Sequence, residues 1–384
     1  MASNVVERGP GRVAALDVLR GVAILGTLGT NVWLFAAPGG PAAWISQGFG
    51  SGGPVQTTLQ TLANGKFLAL LTLLFGVGLE LQYRSAVRRG KPWPGRYPVR
   101  AAILFVEGFV HYVLVFEFDV LMGYAIASLL VAHLVGRSDR AVRAWAGAVG
   151  GVYAAVLLGA TALLIAAPDA PVSPSASDPS LTASWPGQVL LRWEYIGLFR
   201  IELLMIVPSS VVLFLVGSRL MRAGAFDDTG AGARIRRRLM AVGLGVGVPL
   251  NVLTAALGQD WFLVDRYLVP PLVALGLLAL GTTLVLRARR EPGPVRRGLT
   301  GVGRTALSCY VLQNLIAAVL CYGWGLGLAE RFADAGPWWV VGLWAAISAL
   351  LLPAAPWWLR RFERGPLELL MHRVHAVSAP ARAH

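Results

Sequence analysis

Long apolar runs alternate with short basic stretches along the whole chain. Ten apolar segments of spanning or near-spanning length can be marked, at 13–35, 57–82, 98–116, 119–135, 144–166, 198–217, 239–257, 266–286, 301–323 and 338–358. About 20 apolar residues cross the hydrocarbon of a bilayer as a helix. The runs are rich in Leu, Ala, Val and Gly and lack period-two alternation, which predicts helices and not the strands of a barrel. The expected fold is all-α, a polytopic transmembrane helical bundle of about ten spans. The segment at 119–135 is the shortest and is expected to be tilted or half-buried. The first run is long for the apolar core of a signal peptide and reads as a span.

Composition and charge sharpen this picture. Only 14% of the 384 residues are charged, against about 25% in an ordinary soluble domain. That excludes a disordered chain, a disulfide scaffold and a cytosolic enzyme. The net charge of +14 comes almost wholly from Arg placed between apolar runs. These Arg gather at 84–100, 137–143, 219–238, 287–297 and after 359, while the intervening loops hold only Arg192 and Arg331. The positive-inside rule then puts both termini in the cytoplasm, with the basic surplus facing anionic lipid heads. Membrane lipids are therefore the expected partners and nucleic acid is not; homo-oligomerisation is left open. The organisation reads as a five-span half (1–166), an external Pro/Ser-rich loop (167–197), a second five-span half (198–358) and a basic cytoplasmic tail (359–384). Cys309 and Cys321 lie about 18 Å apart on a helix, too far for a disulfide.

Polar residues inside apolar runs are costly and need a partner or a task. One group lies toward the basic side: Asp17, Arg20, Glu80, Gln82 and Arg304. Asp17 and Arg20, at i and i+3, share a face. This group is either an ion-pair network locking helix ends or a cationic site for a phosphorylated donor, for which the planar fork of Arg is suited. A second group lies toward the other side: Asn31, Lys66, Glu107, His111, Glu117 and Asp119. Glu107 and His111 are one helical turn apart, and a His beside carboxylates suits general base catalysis, a proton relay or a structural tie. Tyr124, Glu202, Asn251, Gln313 and Asn314 sit at mid-depth as expected interhelical glue, with Arg200 and Glu202 pairing locally. Most Trp lie near span ends as an interface belt. No Walker loop, no H-E-x-x-H, no G-x-S-x-G and no His/Cys zinc set occurs. No metal is expected.

Several of these residues fall in an ordered set of motifs. They are Leu16-Asp17-Val18-Leu19-Arg20-Gly21 with Asn31 following, Gly65-Lys66-Phe67, Leu74-Phe75-Gly76-Val77-Gly78, and Gly108 with His111, Asp119 and Tyr124. Gly303-Arg304, Leu307, Tyr310, Leu312-Gln313, Tyr322-Gly323 and Gly365-Pro366-Leu367-Glu368 complete it. In this order the chain resembles, from end to end, the YeiB-like family of bacterial membrane proteins (domain of unknown function 418). That family is itself similar to the transmembrane acyltransferase superfamily. Phe118 and Leu369 depart from the family pattern, which has Gly and Trp there.

The resemblance implies a multi-pass protein of the bacterial inner membrane. It also implies transfer of an acyl group from cytoplasmic acyl-CoA to a small-molecule or glycan acceptor. Related enzymes carry a catalytic His at the position of Asn31, so the base would have to be His111, backed by Glu107 or Asp119. Lys66 and Asn31 would stabilise the oxyanion, and Asp17, Arg20, Arg304 and Gln313 would form the donor side. The alternatives are a proton-coupled transporter or exporter of a small molecule, and a non-catalytic scaffold or lipid-binding protein.

Overall fold

Leu- and Ala-rich runs that satisfy their own backbone hydrogen bonds need no partner strand. The computed structural model accordingly contains helices and no strand among its described residues, which are 10–47, 53–166, 179–288 and 291–377. The start of the loop at 167–178 and the tail beyond 377 lie outside them. The first half comprises α1 (Pro10–Ala36), α2 (Gly40–Gln47), α3 (Gly53–Ala63), α4 (Lys66–Arg88), α5 (Tyr97–Leu114), α6 (Leu121–Leu134) and α7 (Asp139–Ala166). Then follow α8 (Trp185–Glu194), α9 (Ile196–Arg200), α10 (Leu203–Arg222), α11 (Gly230–Val242), α12 (Val248–Ala256) and α13 (Pro270–Arg287). The chain ends in α14 (Pro294–Arg304), α15 (Ala306–Cys321), α16 (Leu328–Arg331), α17 (Trp338–Trp358) and α18 (Pro366–Val377).

Among the described residues, eight helical stretches are long and apolar enough to cross a membrane, or up to nine if one bent pair counts as a span. The expected ten segments are largely helical, but three are not simple spans. The segment at 301–323 bends by 97° between α14 and α15. α6 has 14 residues, about 21 Å of helix against a hydrocarbon core of about 30 Å. The segment at 57–82 is also interrupted: α3 stops at Asn64-Gly65, where Gly65 has φ 71°, and α4 starts afresh.

α1 is the axis of the bundle, with 72% of its apolar window buried, whereas α7 is peripheral at 17%. α1 and α14 cross with backbones touching. A Cβ on Gly303 would stand 1.8 Å from the Asp17 carbonyl oxygen, and one on Gly21 would stand 2.1 Å from that of Leu299. Only hydrogen fits at either place, so two of the motif glycines serve the packing that sets Asp17 and Arg20 beside α14. The loop at 167–197 is less open than its composition predicts. Ser184 caps α8 by accepting from the Gly187 N–H at 3.2 Å, and α8 carries Arg192 into the protein, 1% exposed. The Arg192 guanidinium donates to Glu117 Oε1 at 3.0 Å and to the carbonyls of Val113 and Val115, both at 3.1 Å. A residue that reads as a stray loop charge is the clamp that ties α8 to the end of α5.

Candidate functional site

Three polar regions stand out, and the first is a chain of hydrogen bonds through the bundle interior. α5 ends at Leu114 and a tight turn brings Asp119 back over it. The approach needs Gly108: a Cβ there would lie 2.7 Å from Asp119 Oδ1. Asp119 Oδ1 accepts from the N–H groups of Leu121 and Met122 at 2.9 and 3.3 Å, closing the start of α6. Its Oδ2 lies 2.8 Å from His111 Nδ1. The other ring nitrogen, Nε2, faces Asn314 Nδ2 at 3.4 Å, and Asn314 Oδ1 accepts from Asn31 Nδ2 at 3.3 Å. A carboxylate only accepts, so Nδ1 carries the proton, Nε2 accepts from Asn314, and every link then has one donor and one acceptor. The whole chain Asn31–Asn314–His111–Asp119 runs in one direction. His111 and Asp119 are each 3% exposed and Asn314 is fully buried. The Tyr310 ring packs on the imidazole at 5.2 Å between centroids.

Asn31 borders a cavity of about 20 Å³ with Thr27, Thr30, Tyr310, Glu202 and Arg266, room for about one water. Across it lies the second region. A π-helical turn at Val264–Leu268 sets Asp265 and Arg266 side by side, a wide turn of the kind found at functional places in helices. Arg266 donates to Asn64 Oδ1 at 2.9 Å and Glu202 Oε1 at 3.2 Å, and the Tyr267 hydroxyl donates to the same Glu202 oxygen at 2.7 Å. Asp265 accepts from Asn64, Asn251 and Thr254 at 3.1, 2.7 and 2.9 Å. Asn251 and Glu202 therefore bond within this network, and Arg266 and Asp265, at the edge of an apolar run, are its centre. Adjacent unlike charges at that edge are the sequence signal that marks them. Glu202 does not pair with Arg200. Arg200 instead donates to the carbonyls of Glu117 and Asp119 and covers the Tyr112 ring at 4.0 Å.

The third region is a groove of about 900 Å³ between α4, the turn into α5, α14 and α18. Its lining includes Arg89, Lys91, Arg96, Arg100, Arg304, Arg364 and His372, with Gln82, Ser85, Trp93 and Tyr97, and Glu368 as its carboxylate. Sequence reasoning takes most of these cations for orienting charges; their clustering needs the fold.

The remaining candidates are dispersed. Arg20 pairs with Asp17 at 3.2 Å, beside Gly78 and off the groove wall, whereas Arg304 stands on it. Glu80 is a hub for Arg84, Ser218 and Arg222 at 2.8, 2.7 and 3.0 Å, a structural tie. Lys66 donates to the Thr61 carbonyl. Glu107 makes no bond to His111, and both its carboxyl oxygens are buried without a hydrogen-bond partner. Gln313 is fully buried with neither amide atom paired.

Residues 220–378 match the family described as "Protein of unknown function (DUF418)". The chain is 28% identical to "Uncharacterized protein YeiB" of Escherichia coli (strain K12), over 94% of this chain and 96% of that one. It is 23% identical to "Uncharacterized protein YxaH" of Bacillus subtilis (strain 168), over 94% and 93%. No solved structure matches it.

Proposed function

We propose, taking these likenesses and the apolar helical bundle as the premise, that the protein is a bacterial inner-membrane enzyme that moves an acyl group from a CoA-type donor to an acceptor hydroxyl or amine. The observation that carries this reading is the basic groove. Its volume of about 900 Å³ falls in the range of roughly 300–1,000 Å³ typical of small-molecule sites. Its cations suit the phosphates of such a donor, with the bidentate fork of Arg giving orientation. By the positive-inside rule the groove opens to the cytoplasm, where such donors are made. Arg100 at the groove and His111 are eleven positions apart on α5, about 16 Å along a helix. A donor whose acyl group hangs on a long flexible arm is long enough to cover that distance; a short phosphorylated donor is not.

At the other end of that reach, His111 Nε2 holds the lone pair that removes a proton. Its contact with Asn314, at 3.4 Å, is the weakest link in the chain, and an acceptor hydroxyl takes its place. The acceptor oxygen adds to the thioester carbonyl, its proton passes to Nε2, and Asp119 stabilises the imidazolium that forms. The carbon–sulfur bond breaks and the proton goes to the departing thiolate. The amide of Asn31 supplies a donor to the oxyanion. The test is equilibrium binding of coenzyme A to the purified protein in nanodiscs. Binding that weakens on charge removal at Lys91 or Arg100 and falls steeply with salt supports the reading; no binding at low salt rejects it.

A second reading, proton-coupled transport, draws on a different observation. The buried His111–Asp119 pair and the Glu202–Arg266 pair lie on the two sides of a water-sized cavity bordered by Asn31, and intramembrane His and carboxylates are the groups that proton-coupled carriers use. Solute flux into proteoliposomes with no covalent change to the solute favours it.

A further inference from the structure

Glu107 is a carboxyl side chain that the relay around His111 does not use. Asp119 takes His111 Nδ1 and Asn314 takes Nε2. Both Glu107 oxygens are buried without a hydrogen-bond partner, the one carboxyl group in that state among the described residues. The residue as a whole is only half-buried, so its carboxyl end turns inward while part of its stem stays accessible. An unpaired polar group inside a membrane protein is costly to keep, and an ionisable one marks a task more often than a need of the fold.

Its place on α5 says which task. α5 is one unbroken helix from Tyr97 to Leu114. Arg100, Leu104, Glu107 and His111 stand at i, i+4, i+7 and i+11, which puts all four in one sector of the helix about 60° wide. Arg100 lines the basic groove and His111 is the base of the proposed reaction. Glu107 lies between them, about 10 Å of helix from Arg100 and about 6 Å from His111. The charged groups that act on it across space are Glu368 and Arg100, and both line the groove. A thioester donor held in the groove passes this stripe only with its arm. The arm of coenzyme A carries amides, and the nearer one is set off from the thioester carbonyl by a sulfur and a two-carbon unit, about 5 Å or one helical turn. With the thioester carbonyl at His111, that amide falls level with Glu107. An amide N–H drawn in among apolar side chains needs an acceptor there, and Glu107 has two oxygens with nothing to accept.

We infer that Glu107 is the binding residue for the donor's arm, its carboxyl accepting from the amide N–H nearest the thioester and so setting the depth of the thioester beside His111. This rests on the groove being the donor's phosphate site, and it names the part of the donor that an otherwise idle carboxyl reads. A residue that reads the arm and not the phosphates is separable by ligand. Calorimetry in nanodiscs compares coenzyme A with its bare nucleotide part, which keeps the nucleotide phosphates and lacks the arm. Glu107→Leu is expected to weaken coenzyme A by about tenfold or more while leaving the nucleotide part unchanged, and Glu107→Gln, which keeps an acceptor oxygen, to stay within about threefold of the native protein. A second reading needs no Leu variant. In infrared difference spectra of the native protein, the carboxyl band assigned to Glu107 by its loss in Glu107→Gln is expected to shift on adding coenzyme A and to stay in place on adding the nucleotide part. Coenzyme A that binds Glu107→Leu as it binds the native protein, a weakening matched by the nucleotide part, or a band that coenzyme A leaves in place overturns the arm contact, and the groove reading stands in each case. Failure of coenzyme A to bind the native protein overturns both.

Discussion

Replacing Asp119 by Asn changes one atom and separates two roles of this side chain. As a carboxylate, Asp119 closes the start of α6 through Oδ1 and holds the His111 Nδ1 proton through Oδ2. Asn keeps an oxygen for the helix start but presents an NH2 group to Nδ1. The imidazole must then accept at Nδ1 and donate at Nε2. Asn314 and Asn31 can each rotate their amides to follow, so the chain persists with its direction reversed. The expected cost in stability is the difference between a charged and a neutral hydrogen bond, about 1 kcal/mol. Asp119→Ala is different. It removes a helix cap, about 1 kcal/mol, and leaves the buried Nδ1–H unpaired, about 1–3 kcal/mol more, or about 2–4 kcal/mol together. Thermal unfolding in one detergent orders the three proteins. Nitrogen-15 spectra of His-labelled protein, with His111 assigned by its loss in His111→Gln, report the tautomer. The account expects the proton on Nδ1 in the native protein and on Nε2 in Asp119→Asn, with any His111-dependent activity lost in the variant despite its stability. An Asn variant as unstable as the Ala variant, or one that keeps its Nδ1 proton, refutes the directional chain.

Other outcomes follow from the packing. Arg192→Leu strands Glu117 in the interior, 2% exposed; the expected loss is about 3–5 kcal/mol, read as a lower unfolding temperature, with Arg192→Leu/Glu117→Leu recovering most of it. Gly303→Ala drives a methyl group into the Asp17 carbonyl oxygen at 1.8 Å, forcing α1 and α14 apart at a cost of about 3 kcal/mol or more, seen as loss of the monodisperse peak in size-exclusion chromatography. Glu107→Leu removes two buried oxygens that have no partner; an unfolding temperature equal to or above that of the native protein is expected, and a fall of several degrees shows that this carboxyl has a partner after all.

Hydropathy carried most of the fold because a lipid-facing helix must be apolar along its whole length, and α7, α10 and α17 appear nearly where the runs predict them. It missed what happens inside a run. The bend between α14 and α15 falls at Arg304-Thr305, inside a run that hydropathy marks as one span, and the new helix takes its cap from a distant residue, Glu368. The pairing of His111 with Asp119 was legible because a turn of a few residues leaves few alternatives. The helical spacing of Glu107 and His111 pointed the wrong way, since the imidazole turns to the turn residue and Asn314, whose partner lies 203 positions back in sequence. Asp17–Arg20 was readable as a local pair. Arg192 and Arg266 were not, because the first stands in a polar loop and the second at a span edge, where charge is ordinary. The cations of the groove looked like topology signals because their clustering depends on how α18 folds back.

The central claim is that the basic groove and His111 serve one turnover, and release of free thiol from acyl-CoA by the purified protein in native-lipid nanodiscs tests it most directly. The account predicts thiol release matched by acyl group gained in the lipid or added acceptor fraction, abolished in His111→Gln while coenzyme A still binds. Thiol release at the same rate in native protein and His111→Gln, or none above the protein-free background in either, contradicts it.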